Sequence, residues 1–213
     1  MTGRQPLSRE RIVEAALALA DREGPDALSM RRLGRELGVE GMAIYGYFRS
    51  KEELTGAVAG RVLSELDLRA DAEATWQERV RHVIRSWEGL RDRHPGGFFL
   101  IYRRRDQTPE ELPPIEELLA ALRDAGLPPE RSVLAYHVLV WMLDGILLAG
   151  SYGDDPVNEV WLRTAEGVRD GTFPRLVEAA PHAARVTARQ IFELGADLLV
   201  RGLEHLVEDA GEG

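Results

Sequence analysis

Arg31, Arg32, Tyr45, Tyr47 and Lys51 lie close together near the start of the chain, and each can hold an anion. Guanidinium, ammonium and phenol donors suit phosphate oxygens, and an arginine can also pair with a guanine edge in a major groove. From Ser29 to Lys51 the basic residues Arg31, Arg32, Arg35, Arg49 and Lys51 face only Glu36 and Glu40, in a chain of net charge −9. Salt screens charges beyond roughly 10 Å, so a local basic patch on an acidic body still attracts phosphate. Lys51 is the only lysine in the chain. It is expected to open a helix, where free backbone N–H groups favour an anion.

A second set of residues lies farther on. His137, Trp141, Asp144 and Leu148, at spacings of 4, 3 and 4, share one stripe of an otherwise apolar segment. A carboxylate buried there needs a partner: His137, an Arg or Tyr from another helix, or a ligand. A structural hydrogen bond or a dimer contact would serve as well. Trp87, Phe98, Phe99 and Tyr102 supply either the aromatic walls of a pocket or plain core. No Ser-His-Asp grouping, phosphate loop or metal-spaced histidine pair is present, and the histidines are scattered at 82, 94, 137, 182 and 205. No metal and no cofactor are expected. With no cysteine, disulfides and thiolate metal sites are excluded, and a reducing cytoplasm fits. The opening MTGRQPLSRE has no apolar run of the secretory kind. Val138 to Gly150, interrupted by Asp144, is read as too short to span a bilayer, so no membrane is expected.

The elements that position these residues read as an all-α fold. Ala, Leu, Glu and Arg dominate, β-branched runs are scarce and capping signals recur. A first helix runs from Ser8 to Gly24-Pro25, with Ile12, Ala15, Ala16, Leu19 and Ala20 on one face. Ser29 caps a short helix that Gly38 ends, and a third covers about Gly41 to Tyr47. Ser50-Lys-Glu-Glu53 and Thr75-Trp-Gln-Glu78 read as capping boxes, for helices to about Leu68 and Arg93. His94-Pro-Gly-Gly97 reads as a break before the short apolar stretch Phe98 to Tyr102. Further helices are expected from Thr108 to near Gly126, Glu130 to Ser151, Asp155-Pro156 through Trp161, and Val186 to Glu208. The one plausible joint, about Glu65 to Thr75, divides the chain into an N-terminal helix-turn-helix domain, 1–65, and a helical ligand-binding and dimerisation bundle, 66–213.

The segment Ser29-Met-Arg-Arg-Leu-Gly-Arg-Glu-Leu-Gly-Val39 followed by Glu40-Gly-Met-Ala-Ile-Tyr-Gly-Tyr-Phe48 has helix-turn-helix logic: two short helices around a tight turn at Gly38. With its Leu37-Gly38-Val39 turn, Tyr45 and Phe48, and Ser50-Lys51-Glu-Glu-Leu54, it resembles the DNA-binding domain of the tetracycline-repressor family. The resemblance implies a ligand-responsive regulator, a repressor in its usual form. It implies a homodimer that grips palindromic double-stranded operator DNA, with the second helix of the pair in the major groove. Lys51 matches the family's phosphate-contacting lysine. Ser29, Met30, Arg31, Arg32, Gly41, Met42, Ala43, Tyr45, Tyr47 and Lys51 are thus the expected DNA contacts. Gly46 stands where a bulkier residue is usual and offers no side chain for base readout.

The later chain, from His94-Pro95-Gly96 to Met142-Leu143-Asp144-Gly145, resembles the ligand-binding domain of the tetracycline repressors themselves. Those bind drug and metal through a histidine where this chain has Phe98-Phe-Leu-Ile-Tyr102, so tetracycline and any metal are not expected. Trp87, Phe98, Tyr102, His137, Trp141 and Asp144 are the expected lining for a mostly apolar small-molecule effector. Gly145, Ala149, Gly195 and Gly202 permit close helix approach, and the resemblance implies a four-helix dimer face. A small helical enzyme or a protein-interaction module without DNA binding are the competing classes.

Overall fold

The computed structural model describes residues 6–103, 109–150, 163, 173–183 and 185–211, and among these the ordered elements are all helical. The chain divides into two compact units, residues 1–120 and 121–213.

The first unit begins with α1 (Arg9–Glu23), whose N-cap Ser8 accepts a hydrogen bond from the Arg11 N–H. The apolar residues fall at helical spacing, so Ile12, Ala16, Leu19 and Ala20 are fully buried. Each large side chain removed from water contributes about 1.5–3 kcal/mol before chain entropy is counted. A single turn of 3-10 helix (Pro25–Ala27) leads to α2 (Met30–Leu37), α3 (Gly41–Ile44) and α4 (Lys51–Leu63). The Thr75 capping box opens α5 (Trp76–Arg93) in reciprocal form: Thr75 Oγ1 accepts from Glu78 N–H and Glu78 accepts from Thr75 N–H.

The expected break at His94-Pro-Gly-Gly97 is confined to His94, which ends α5 in a non-helical conformation (φ −131°, ψ 65°). Pro95 takes the first position of α6 (Pro95–Tyr102) and both glycines are helical. Pro is at home there because a first-turn N–H has no helical partner. The glycines are present for space: a Cβ on Gly96 would overlap the Ala20 carbonyl, and one on Gly97 would overlap Leu17. At its start α6 is pinned to the earlier helices by His94, which meets Asp21 at 2.8 Å and Glu65 at 3.1 Å, while Gly97 N–H donates to Asp21. At its end Arg103 pairs with Asp26 at 2.6 Å. The helix α4 ends at Leu63, short of the expected Leu68.

A second 3-10 turn (Pro109–Glu111) leads into α7 (Leu112–Asp124), so the expected cap Thr108 lies outside the described residues. The second unit holds the end of α7 and then α8 (Pro129–Gly150), α9 (Pro174–Ala183) and α10 (Ala188–Gly211). The sequence reading did not include α9. The helix expected from Asp155 to Trp161 lies outside the described residues. Packing of α8 on α10 makes the core of this unit, with Ala135, Leu139, Leu143 and Leu147 facing Phe192, Leu199, Val200 and Leu203. Gly195 sits tight against Ile146, whereas Gly145 and Gly202 have nothing among the described residues within 4 Å of their Cβ positions.

Candidate nucleic-acid interface

The hinge of the site is the turn between α2 and α3. Gly38 adopts φ 67°, ψ 35°, a left-handed conformation that costs a residue with a Cβ but not glycine. Val39 N–H then bonds back to the Gly34 carbonyl at 2.8 Å, and Gly38 N–H to Arg35 at 3.2 Å, which closes the end of α2. Gly34 makes the second contribution. A Cβ there would lie 2.8 Å from Gly41 N and 2.9 Å from the Val39 carbonyl, so α3 starts directly against α2. Leu33, Leu37, Ile44 and Phe48 fill the space beneath both helices.

This packing sorts the expected contacts. Met42 is 73 % exposed and Tyr45 46 %, and Ala43 and Gly46 are exposed beside them, so α3 presents its outer side to solvent. Gly41 is half-buried, its backbone against Met30 and Arg31. Arg31 and Lys51 are exposed and form no salt bridge among the described residues, and neither do Arg35 and Arg49. The sequence reading counted those last two in the basic patch but not among the contacts.

Four expected contacts are turned to other tasks. Met30 is buried under α2. Arg32 donates to Glu23 at 3.2 Å and to Glu36 at 2.9 Å, and Arg22 joins the same two carboxylates. The Glu23 carboxyl is held below its ordinary value by the hydrogen bond from Arg32, then by that from Arg22. Tyr47 donates its hydroxyl to the Leu7 carbonyl at 2.8 Å. Ser29 spends its hydroxyl on capping α2, accepting from Arg32 N–H. Ser50 likewise accepts from Glu53 N–H, but Glu53 returns the bond to Arg49 N–H rather than to Ser50.

The expected effector residues fall into two groups, one in each unit. In the first, Trp87 meets Phe98 edge-on at 6.0 Å and Phe98 lies 5.3 Å from Tyr102, with Phe98 fully buried. In the second, the polar stripe is not buried. His137 and Trp141 are exposed, Trp141 by 70 %, their rings 5.6 Å apart, and Asp144 is half-buried. The ring of His137 bonds the Val133 carbonyl of its own helix at 2.8 Å. Burial, and secondly the charge of Asp144, pushes the Tyr136 phenol above its ordinary pKa. Two surface grooves of about 390 and 590 Å³ lie along α5, lined by charged residues such as Arg81 and Arg85, and neither resembles an apolar chamber.

Comparison with known proteins bears on both parts of the chain. Residues 12–58 match the family described as bacterial regulatory proteins, tetR family, and residues 70–207 match the tetracyclin repressor-like C-terminal domain. The HTH-type transcriptional repressor DrrR1 of Streptomyces coeruleorubidus is 31 % identical over 82 % of this chain, which spans 65 % of that protein's length. The class E tetracycline repressor of Escherichia coli is 25 % identical, covering 95 % of this chain and 93 % of its own. Among solved structures, ActR from Streptomyces coelicolor in complex with actinorhodin superposes with a TM-score of 0.80 at 28 % identity, over 95 % of this chain and 99 % of that one.

Proposed function

Because the chain belongs to the tetR family of bacterial regulatory proteins, we propose that it grips a near-palindromic operator as a homodimer and lets go when a mostly apolar small molecule binds. It is a DNA-binding transcription regulator and not an enzyme. The observation that carries the operator reading is a set of exposed cations that form no salt bridge among the described residues. Arg31, Arg35, Arg49 and Lys51 belong to the same motif as the exposed Met42 and Tyr45 of α3. Phosphates are the natural counter-ions for such a set, and α3 supplies the surface for the major groove.

The homodimer rests on the outer side of the second unit. Leu134, Val138, Trp141 and Met142 on α8, and Ile191, Leu194 and Leu198 on α10, are all exposed. Residues Pro129–Ala149 are, by length and composition, apolar enough to cross a membrane, more than the sequence reading allowed. In this family a second copy is the fitting cover for them, and the open Gly145 and Gly202 would let the helices approach closely. Trp141, first placed with the effector, fits this face better. The functional division at about residue 65 and a cytoplasmic location belong to the same reading.

Release follows from the seat of α6. Through Gly96 that helix meets the Ala20 backbone of α1, and through Gly97 it rests on Leu17 of α1 and Val62 of α4, so a ligand that displaced it would move the DNA-binding helices with it. The ActR structures with actinorhodin and with (S)-DNPA support a ligand site in this fold. The aromatic set of Trp87 on α5 with Phe98 and Tyr102 on α6 is the corresponding candidate here. The coupling is expected at about 1–3 kcal/mol and must be reciprocal, operator DNA weakening the ligand by the same factor.

The test begins with selection of duplexes from a random library. The protein is expected to enrich a dyad sequence and to bind it with steep salt dependence. Enrichment of nothing, or of a site without a dyad, would overturn the reading. A thermal-shift screen then finds effectors, since ligands of the native state raise stability.

A further inference from the structure

The short helix α3 is poorly equipped to hold its own direction. It spans four residues, its N-cap Glu40 offers no side-chain bond, and Gly41 and Gly46 weaken it from both sides. After Ile44 the chain leaves the helix and reaches Lys51 through Tyr45–Ser50, a non-helical junction. Packing on α2 seats the start of α3, and the separation of its end from Lys51 depends on that junction.

One side chain from outside the motif is fastened to the junction at two points and to the first turn of α4 at a third. The Arg9 guanidinium, from the first residue of α1, lies over the buried Phe48 ring, 4.1 Å from its centroid. It donates to the Tyr47 carbonyl and, at 3.1 Å, to Glu53 in the first turn of α4. The other oxygen of Glu53 accepts from Arg49 N–H at 2.7 Å, and Tyr47 sends its hydroxyl back to Leu7, two residues before Arg9. The start of α1 thus closes a loop of contacts around Tyr47, Phe48 and Arg49. A planar fork that stacks on a ring while bonding a carbonyl and a carboxylate is work only an arginine does.

From this geometry we infer that Arg9 is a positioning residue for operator recognition. It holds the junction so that α3 and Lys51 engage base edges and phosphate together. Its positive charge is answered by Glu53 and the Tyr47 carbonyl, so it neutralises no phosphate itself. The inference rests on the operator reading above.

Binding isotherms over a range of salt separate the outcomes, with the duplex enriched by the wild-type protein and a scrambled duplex as probes. For Arg9→Ala, affinity for the enriched duplex is expected to fall about tenfold. Affinity for the scrambled duplex and the slope of log affinity against log salt are expected to stay as in the wild type, because no phosphate contact is lost. Arg9→Lys keeps the charge without the fork and should recover only part of the loss. Tyr47→Phe, which cuts the link to Leu7, should reproduce a milder version, and the double variant should lose less than the two singles combined. Thermal melts show whether Arg9→Ala folds; if it does not, Arg9→Lys and Tyr47→Phe carry the same expectation. Wild-type affinity for the enriched duplex in the folded variants overturns the inference. So does equal loss on both duplexes with a slope lower by about one, which would make Arg9 a phosphate contact. If the wild-type protein enriches no duplex, the operator reading falls first and this inference with it.

Discussion

Lys51 and Arg32 carry the same charge within one motif, yet they stand in opposite situations. The first is exposed at the opening turn of α4 with no salt bridge among the described residues, and the second is enclosed by Glu23 and Glu36. Lys51→Ala should weaken specific and random DNA by similar factors and lower the salt slope by about one. Arg32→Ala should leave that slope alone and shift the thermal midpoint instead; a slope lowered as in Lys51→Ala would contradict the assignment. The same network has a pH signature. Glu23 ionises more readily folded than its ordinary value of 4.5 allows, because Arg32 and then Arg22 bond it. Its contribution to stability is complete above that value and disappears as the pH falls through the lower folded value. Below about pH 4.5 the urea midpoint of the wild type should drop faster than that of Glu23→Gln, and parallel curves would count against it. Residue type and spacing singled out Lys51 and Arg31 in the sequence, and both are exposed. They could not separate Arg32 from them, since Arg22 and Glu23 come from the preceding helix. Burial of Met30 and the bond from Tyr47 to Leu7 are equally products of tertiary packing.

Among elements, those whose signals are local were readable. Ser8, Ser29, Ser50 and Thr75 each cap the helix that begins after them, and Gly38 closes α2. The start of α6 was misread because Pro and Gly usually break a chain, and the sequence cannot say whether a glycine serves freedom or space. Gly96 and Gly34 serve space, each by admitting a second backbone. Gly34→Ala should force α3 from α2, since Gly41 N would stand 2.8 Å from the new methyl group. The expected result is loss of binding to the enriched duplex with a destabilisation of about 1–3 kcal/mol. Gly56, with nothing within 4 Å of its Cβ position, is the control: Gly56→Ala should be neutral or stabilising. Similar behaviour of the two variants in melting and gel-shift assays would refute the packing argument.

For the molecule as a whole, composition pointed to an acidic body with a basic patch, and the structure adds where its apolar surface is left uncovered. Leu194→Arg on α10 places a charge among exposed apolar residues. Light scattering is expected to show a dimer for the wild type and a monomer for this variant. Operator affinity should fall about 100-fold or more as the avidity of two linked half-sites is lost. A wild type that is monomeric at micromolar concentration would remove the dimer from the account. The effector chamber was not legible, because a polar stripe on an apolar helix looks alike whether it faces a pocket, a core or a partner. His137 and Trp141 are in fact exposed. The position of Lys51 has a further consequence, in chemical labelling. One side-chain amine in 213 residues, exposed where phosphate is expected, gives an acylating reagent a single side-chain target. The reagent should weaken the free regulator's grip on DNA by erasing one positive charge. Bound operator should shield that amine, so the fraction acylated at Lys51 would report how much of the protein is on DNA.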